Sequence, residues 1–273
     1  VNLYTQRGSV AIVIRRITSQ IPTFRQLNLP ERLGELAMGE RGLVLVVGAT
    51  GSGKSTTLAA MIEYRNERVG GHIVTIEDPI EFTFTNKKSL ITQREVGIDT
   101  KSFPIALKNS LRQSPKVIFI GEIRDTQTME FALQASETGH LTLASLHANN
   151  ASQAFERIMG FFPLEHREQA LAQLSMSLRG IVAQRLLPRV GGGRIPVLET
   201  LIVTPFISEL VGKGDIERIK QAMNEGAGEG LQTFDMDIHR LWSERKISEE
   251  DAFRYADSPN NLRLRMRGIA ITI

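Results

Sequence analysis

Leu43-Val44-Leu45-Val46-Val47-Gly48-Ala49-Thr50-Gly51-Ser52-Gly53-Lys54-Ser55 decides how this chain folds. The first five residues are wholly apolar, the mark of a short strand buried on both faces. The rest satisfies G-x-x-x-x-G-K-[ST] at every position. Thr56 to Glu63 then reads as a helix, with Leu58, Ala59, Met61 and Ile62 available to pack. In a strand–loop–helix of this kind the glycines adopt dihedrals closed to other residues, and successive N–H groups surround a phosphate. The positive helix end adds attraction for the anion. The expected nucleotide-binding set is Gly48, Ala49, Thr50, Gly51, Ser52, Gly53, Lys54, Ser55 and Thr56. Lys54 is expected to reach the β- and γ-phosphates, and Ser55 to hold Mg²⁺.

Working outward, the strand pattern recurs at His72-Ile73-Val74-Thr75-Ile76, at Val117-Ile118-Phe119-Ile120 and from Leu141 to Leu146. Helical patterns intervene: Ser102 to Gln113, broken by Pro115, and Thr126 to Ser136, capped by Asp125 and ended by Gly139. Such alternation predicts a mainly parallel α/β sheet. Phe82 to Val96 reads as β-rich pieces around Asn86-Lys87-Lys88, a hairpin-like excursion, and Glu31 to Met38 as a short helix. Beyond Asn150 the pattern is mostly helical, near 151–159, 165–179, 206–211, 215–224, 234–243 and 248–256. A strand pair near 181–187 and 196–203 interrupts it across Gly191-Gly192-Gly193. Leu262 to Arg267 alternates strictly, as an edge strand or extended tail does. At the other end, Val10 to Ile14 reads as a strand flanked by Arg7, Arg15 and Arg16. Thr18 to Pro30, with two prolines, reads as a linker.

Composition narrows the classes. A 41% hydrophobic content over 273 residues fills a core and argues against disorder. Lys+Arg 33 against Asp+Glu 30 leaves +3, so charge gives no reason to expect a nucleic-acid or membrane surface. There is no cysteine, which excludes disulfides and thiolate metal sites and suits a reducing cytosol. No apolar run approaches the roughly 18–20 residues of a membrane span, and no signal peptide is visible. Val1 in place of Met leads to the expectation of a preceding N-terminal portion.

Binding a nucleotide does not hydrolyse it. Hydrolysis needs a group that orients or deprotonates water, an acid near Mg²⁺ and donors for transition-state charge. Open α/β sheets gather such groups at the carboxyl ends of their strands. Glu122 follows Val117–Ile120 after Gly121, a Walker B arrangement with Glu where Asp is usual, and is expected to act on Mg²⁺. Glu77 and Asp78 end the strand at 72–76, where a carboxylate can polarise the attacking water and Pro79 stiffens the turn. His140 and His147 bracket the fourth strand. Their offset places them on different pleat faces, so a shared metal is not expected. His147, at the strand's end, suits a γ-phosphate sensor; His140 alone reads as structural. Arg7, Arg15, Arg16 and Arg124 are candidates for charge stabilisation.

Four segments in this order resemble the Walker A, Asp-box, Walker B and His-box motifs of secretion ATPases. They are Gly48–Ser55, Thr75–Phe82, Gly121–Asp125, and Glu137–His140 through Leu146–His147. More narrowly, the chain resembles the PilT/PilU family of type IV pilus retraction ATPases, over nearly its whole length. Ser145 to Asn150 and the residues past Pro259 lean towards the PilU side. The resemblance implies a RecA-like P-loop NTPase domain at 31–273 with a helical C-terminal part, a linker at 18–30, and at 1–17 the end of a PAS-like N-terminal domain. It implies Glu77 as catalytic glutamate, Glu122 as Walker B glutamate, and His140 and His147 as the two His-box positions. Arg7 and Arg15 match arginines that reach a nucleotide across a subunit or domain boundary. It further implies ATP and Mg²⁺, and a homo-hexameric, cytoplasmic motor at the inner-membrane base of a pilus machine. That motor would be peripheral to the membrane through its partners, an inner-membrane platform protein and a paralogous retraction ATPase, with no nucleic acid. An accessory nucleotide-binding subunit and a RecA-like DNA translocase stand as alternatives.

Overall fold

The computed structural model describes residues 2–14, 17, 20–225 and 230–269. The chain opens with an antiparallel hairpin, β1 (Asn2–Gln6) and β2 (Ser9–Val13), closed by a two-residue turn at Arg7-Gly8. Both turn residues have positive φ, 45° and 77°, the geometry that matches the twist of paired strands. Two short helices follow, α1 (Phe24–Leu27) and α2 (Arg32–Ala37). The phosphate-loop unit is β3 (Gly42–Val47) and α3 (Lys54–Asn66). Then come β4 (Gly71–Glu77), β5 (Ser89–Glu95), α4 (Phe103–Ser110), β6 (Val117–Ile120), α5 (Thr126–Glu137) and β7 (Leu141–Leu146). Helices α6 (Ala151–Phe161) and α7 (Arg167–Ser177) lead into the strand pair β8 (Leu178–Pro188) and β9 (Arg194–Ile202). Five helices end the described chain: α8 (Pro205–Lys213), α9 (Ile216–Glu225), α10 (Phe234–Ser243), α11 (Glu249–Tyr255) and α12 (Pro259–Met266).

The seven-stranded sheet has the order β5-β4-β6-β7-β3-β8-β9. All pairs are parallel except β8 with β9. Every residue of β3 is buried, as a strand covered on both faces requires. Its side chains alternate between two cores: Leu43, Leu45 and Val47 face α4–α7 and the C-terminal helices, while Val44 and Val46 face α1–α3. This is the α/β fold expected from the sequence.

Caps fix where the site-bearing segments end and helices begin. Asp125 Oδ1 accepts the Thr128 N–H at 2.7 Å and starts α5. Asn150 Oδ1 accepts the Gln153 N–H at 2.8 Å and starts α6 directly after the loop from His147.

Three segments differ from their reading in sequence. Residues 89–95 form no hairpin with the preceding β-rich piece; β5 lies parallel beside β4 at the sheet edge. The side chains of Asn66 and Gln93 supply the bonds a hairpin partner would have made, Asn66 Oδ1 to Lys87 N–H and Gln93 Oε1 to Phe84 N–H. Residues 262–266 are helical: Pro259 opens α12, and Leu262 and Met266, four apart, pack inward while Leu264 is partly exposed. An apolar residue at every second position fits a helix when only one of them must be fully buried. The segment expected to be a linker is docked in part. Thr23 and Gln26 form a reciprocal capping box around α1, and buried Phe24 stacks on Tyr64 of α3 with ring centroids 5.1 Å apart.

Candidate active site

The carboxyl ends of β3, β4, β6 and β7 converge on one side of the sheet and enclose a cleft of about 340 Å³. Thr50, Gly51, Lys54 and Ser55 form one wall; Glu77, Glu122 and His147 face them. Lys54 is almost wholly buried, and its Nζ donates to the carbonyls of Gly48 at 2.8 Å and Ala49 at 2.9 Å. Burial lowers its pKa, and the charges of Glu122 and Glu81 oppose that fall. At Gly53, with φ of 92°, the backbone disfavours any other residue, and a Cβ would stand 2.6 Å from Gln184 Nε2 and displace that amide.

Two carboxylates meet this loop from different strands. Glu77 ends β4 and is buried; its Oε1 accepts Thr75 Oγ1 at 2.6 Å and Gln93 Nε2 at 3.1 Å. Burial raises its pKa, while the bonds from Thr75 and Gln93 pull the other way. A carboxylate fixed in this way has one orientation and an enhanced tendency to take a proton.

Glu122 follows β6 through Gly121. A Cβ at Gly121 would lie 3.1 Å from Glu77 Cα and 3.2 Å from Ile76 O, so only glycine lets the ends of β4 and β6 close this far. The β7 end locks the turn from the other side, with Ser145 Oγ donating to Gly121 O and Ile123 N–H donating to Ser145 O at 2.9 Å. Glu122 Oε2 binds Arg124 at 2.7 Å, and Arg124 also reaches Asp78 at 3.2 Å. Glu122 Oε1 faces His147 Nε2 at 3.0 Å.

The residues present fit a magnesium nucleotide. The Ser55 hydroxyl and the Glu122 carboxylate are hard oxygen donors on opposite walls of the same cleft. Among the described residues no group of three or more His, Asp or Glu side chains forms a metal cage. A Mg²⁺ held by one or two protein oxygens together with phosphate oxygens needs no such cage.

The expected residues do not all meet. Lys54, Ser55, Glu77, Glu122 and His147 share the cleft. His140 stands at the opposite end of β7, where its Nδ1 pairs with Ala135 O at 3.0 Å and closes the turn after α5. Arg7 occupies the exposed tip of the β1–β2 hairpin and is absent from the cleft's lining. Arg15 and Arg16 lie outside the described residues. Three supporting residues escaped the sequence reading: Thr75, Gln93 and Gln184. Gln184 carried a signal, as a polar residue closing the apolar run Ile181-Val182-Ala183. Gln93 carried none, because its role depends on the pairing of β5 with β4.

The chain is similar to known proteins in sequence and in fold. Residues 9–193 match the family described as type II/IV secretion system protein. The chain belongs to that family. It is 51% identical over 268 residues to the type IV pilus ATPase PilU of Pseudomonas aeruginosa, covering 98% of this chain and 70% of that protein. It is 41% identical to PilT, a pilus retraction ATPase of the same organism, covering 96% of this chain and 76% of the relative. The crystal structure of the pilus retraction motor PilT with bound ADP superposes with a TM-score of 0.89 at 45% identity, over 96% of this chain and 74% of that one. With its phosphate loop, its two carboxylates and this kinship, the secretion-family chain is an ATPase of RecA-like α/β fold.

Proposed function

We propose that this ATPase is a motor that powers type IV pilus retraction. The observation that carries the reading is the cleft, where Lys54, Ser55, Glu77, Glu122 and His147 stand together in a chain half-identical to a pilus ATPase. In this reading phosphate oxygens of ATP replace the Gly48 and Ala49 carbonyls at Lys54 Nζ. Glu77, aimed by Thr75 and Gln93, orients the attacking water and takes its proton. His147 and Arg124 hold Glu122 facing Ser55. Mg²⁺, when bound between Ser55 and Glu122, neutralises developing phosphate charge.

The motor is assigned to a homo-hexameric ring on the cytoplasmic face of the inner membrane, working on a pilus platform protein. No helix among the described residues is long and apolar enough to cross a membrane, which is consistent with attachment through partners. Residues 1–17 are assigned to the end of a separate N-terminal domain, 18–30 to the linker and 31–273 to the ATPase domain. The hairpin supports that division: Leu3, Tyr4, Val10 and Ile12 are exposed, and an isolated two-stranded ribbon is marginal in water. Arg7, borne on that ribbon, is proposed to act on a nucleotide in a neighbouring subunit.

The test is phosphate release by the purified protein with Mg-ATP, paired with twitching in cells deprived of their own retraction ATPases. Turnover and restored twitching, both lost in Lys54→Ala, are expected. Turnover without restored twitching would overturn the pilus assignment, and stable absence of turnover would favour the accessory-subunit alternative.

A further inference from the structure

The phosphate loop rests on a side chain that belongs to neither the loop nor its helix. Gln184 lies on β8, one residue beyond the pairing of Ala183 with Val47, and so stands beside the start of the loop. It is 3% exposed. Its Nε2 donates to Ser52 O at 2.9 Å inside the loop, and its Oε1 accepts Thr57 Oγ1 at 2.6 Å from the first turns of α3. The orientation of the amide is forced, because the Ser52 carbonyl only accepts and must meet the NH₂ end. Gln184 also touches the loop at two glycines, with its backbone carbonyl at the Cβ position of Gly48 and its amide at that of Gly53. One carboxamide therefore spans the loop, pinning Ser52 on one side of Lys54 and Thr57 on the other.

We propose that Gln184 is a positioning residue for nucleotide binding, setting the phosphate loop into the curvature that receives the β- and γ-phosphates. Within the loop Lys54 ties the Gly48 and Ala49 carbonyls, Ser52 N–H donates to Ala49 O at 3.2 Å and Thr57 N–H donates to Gly53 O at 3.0 Å. The Ser52 carbonyl is tied from outside the loop, by Gln184. Through Thr57 the same amide ties the loop to the helix end whose positive pole faces the anion. Because β8 continues into β9, the same contact joins the loop to that edge of the sheet. The proposal rests on the cleft being the ATP site.

The experiment compares Gln184→Leu, Thr57→Val and their double variant with wild type. ADP affinity is measured by titration with a fluorescent ADP analogue, loop mobility by hydrogen exchange over residues 48–57, and folding by thermal unfolding. Gln184→Leu is expected to weaken ADP binding by roughly tenfold to hundredfold, the loss typical of misplaced binding groups, while AMP, lacking the β-phosphate, weakens far less. Exchange rises over 48–57, and the double variant loses little more than Gln184→Leu alone, since both substitutions break one network. A lowered melting temperature with unchanged ADP affinity and loop exchange in the folded protein would reduce Gln184 to a structural role and overturn the proposal. If Gln184→Leu does not fold, Thr57→Val decides by the same two measurements, since it frees one end of the amide at nearly constant volume. Lys54→Ala is the control: if it retains wild-type ADP affinity, the nucleotide-site reading fails; if it alone loses affinity, only the Gln184 proposal fails.

Discussion

Glu122 Oε1 lies 3.0 Å from His147 Nε2, across the gap between the ends of β6 and β7. The other oxygen of the same carboxylate is held by Arg124 at 2.7 Å, and Arg124 in turn reaches Asp78 beside Glu77. Glu122 is thus linked through one guanidinium to Asp78, the residue that follows Glu77 at the end of β4.

Glu122→Gln keeps the shape of this hub and removes its charge. Arg124 and His147 lose their common anion, and the side chain proposed to hold Mg²⁺ becomes a weaker ligand. Turnover is expected to fall on the order of 10²- to 10³-fold, the range found when one preorganised electrostatic group is removed. Steady-state phosphate release measures the fall, and wild-type turnover would remove Glu122 from the chemistry.

Glu77→Gln separates binding from hydrolysis. Thr75 and Gln93 still hold the side chain, so ADP affinity is retained while turnover drops about 10²- to 10⁴-fold with the loss of the proton acceptor. The pH profile supplies a second check. A base works only when deprotonated, and burial raises the pKa of Glu77, so the acid limb of kcat/KM in the wild-type enzyme is shifted upward from the ordinary value of a glutamate. An acid limb at or below the ordinary glutamate value would assign the base elsewhere.

Which of these groups could be read from the sequence follows from how local their signals are. The phosphate loop, the buried strands, the Asp125 cap and the carboxylates after 76 and 120 are each defined by adjacent residues, and the fold honours them. His140 and His147 resemble each other in sequence, yet a six-residue strand separates them by about 20 Å. Only the one at the carboxyl end reaches the cleft. Gln93 and Gln184 acquire their roles from strand pairing, β5 with β4 and β8 with β3, and pairing is not written in any single segment. The alternation at 262–266 misleads because a helix with one fully buried residue, Leu262, tolerates apolar residues elsewhere on its surface.

Phe24→Ala tests the docked segment around α1. Phe24 is buried against Tyr64, and removing such a ring costs about 3–5 kcal/mol where the surroundings cannot collapse. Residues 23–29 can release from α3 without unfolding the sheet, so the loss to the whole protein is capped by the free energy of that release. Hydrogen exchange is expected to rise over 23–29 with a smaller drop in melting temperature than Leu45→Ala produces in the sheet. An equal drop for the two variants would show that the linker segment is part of the cooperative core.

Glu199 of β9 connects the far side of the fold to the loop that begins at His147. Its Oε1 accepts the Ala151 N–H at 2.7 Å, at the first residue of α6. The side chain is buried, and burial pushes its pKa from 4.5 up to about 7; Asp257 adds to the rise, while the Ala151 bond and the charges of Arg185 and Lys220 resist it. Between those two values the folded protein keeps the proton that the unfolded chain has released. The unfolded state then binds fewer protons, so stability falls as pH rises through this window and levels off above it. The contribution is on the order of 3 kcal/mol across the window. Glu77 and Asp237, also raised by burial, titrate in wild type and variant alike, so the informative quantity is a difference. Glu199→Gln retains a carbonyl oxygen for Ala151 and cannot ionise. Urea unfolding at a series of pH values is expected to show wild type losing stability relative to Glu199→Gln as pH rises to about 7, with a constant gap beyond. Two stability curves that stay parallel from acid to neutral pH would mean that Glu199 does not hold its proton in the fold.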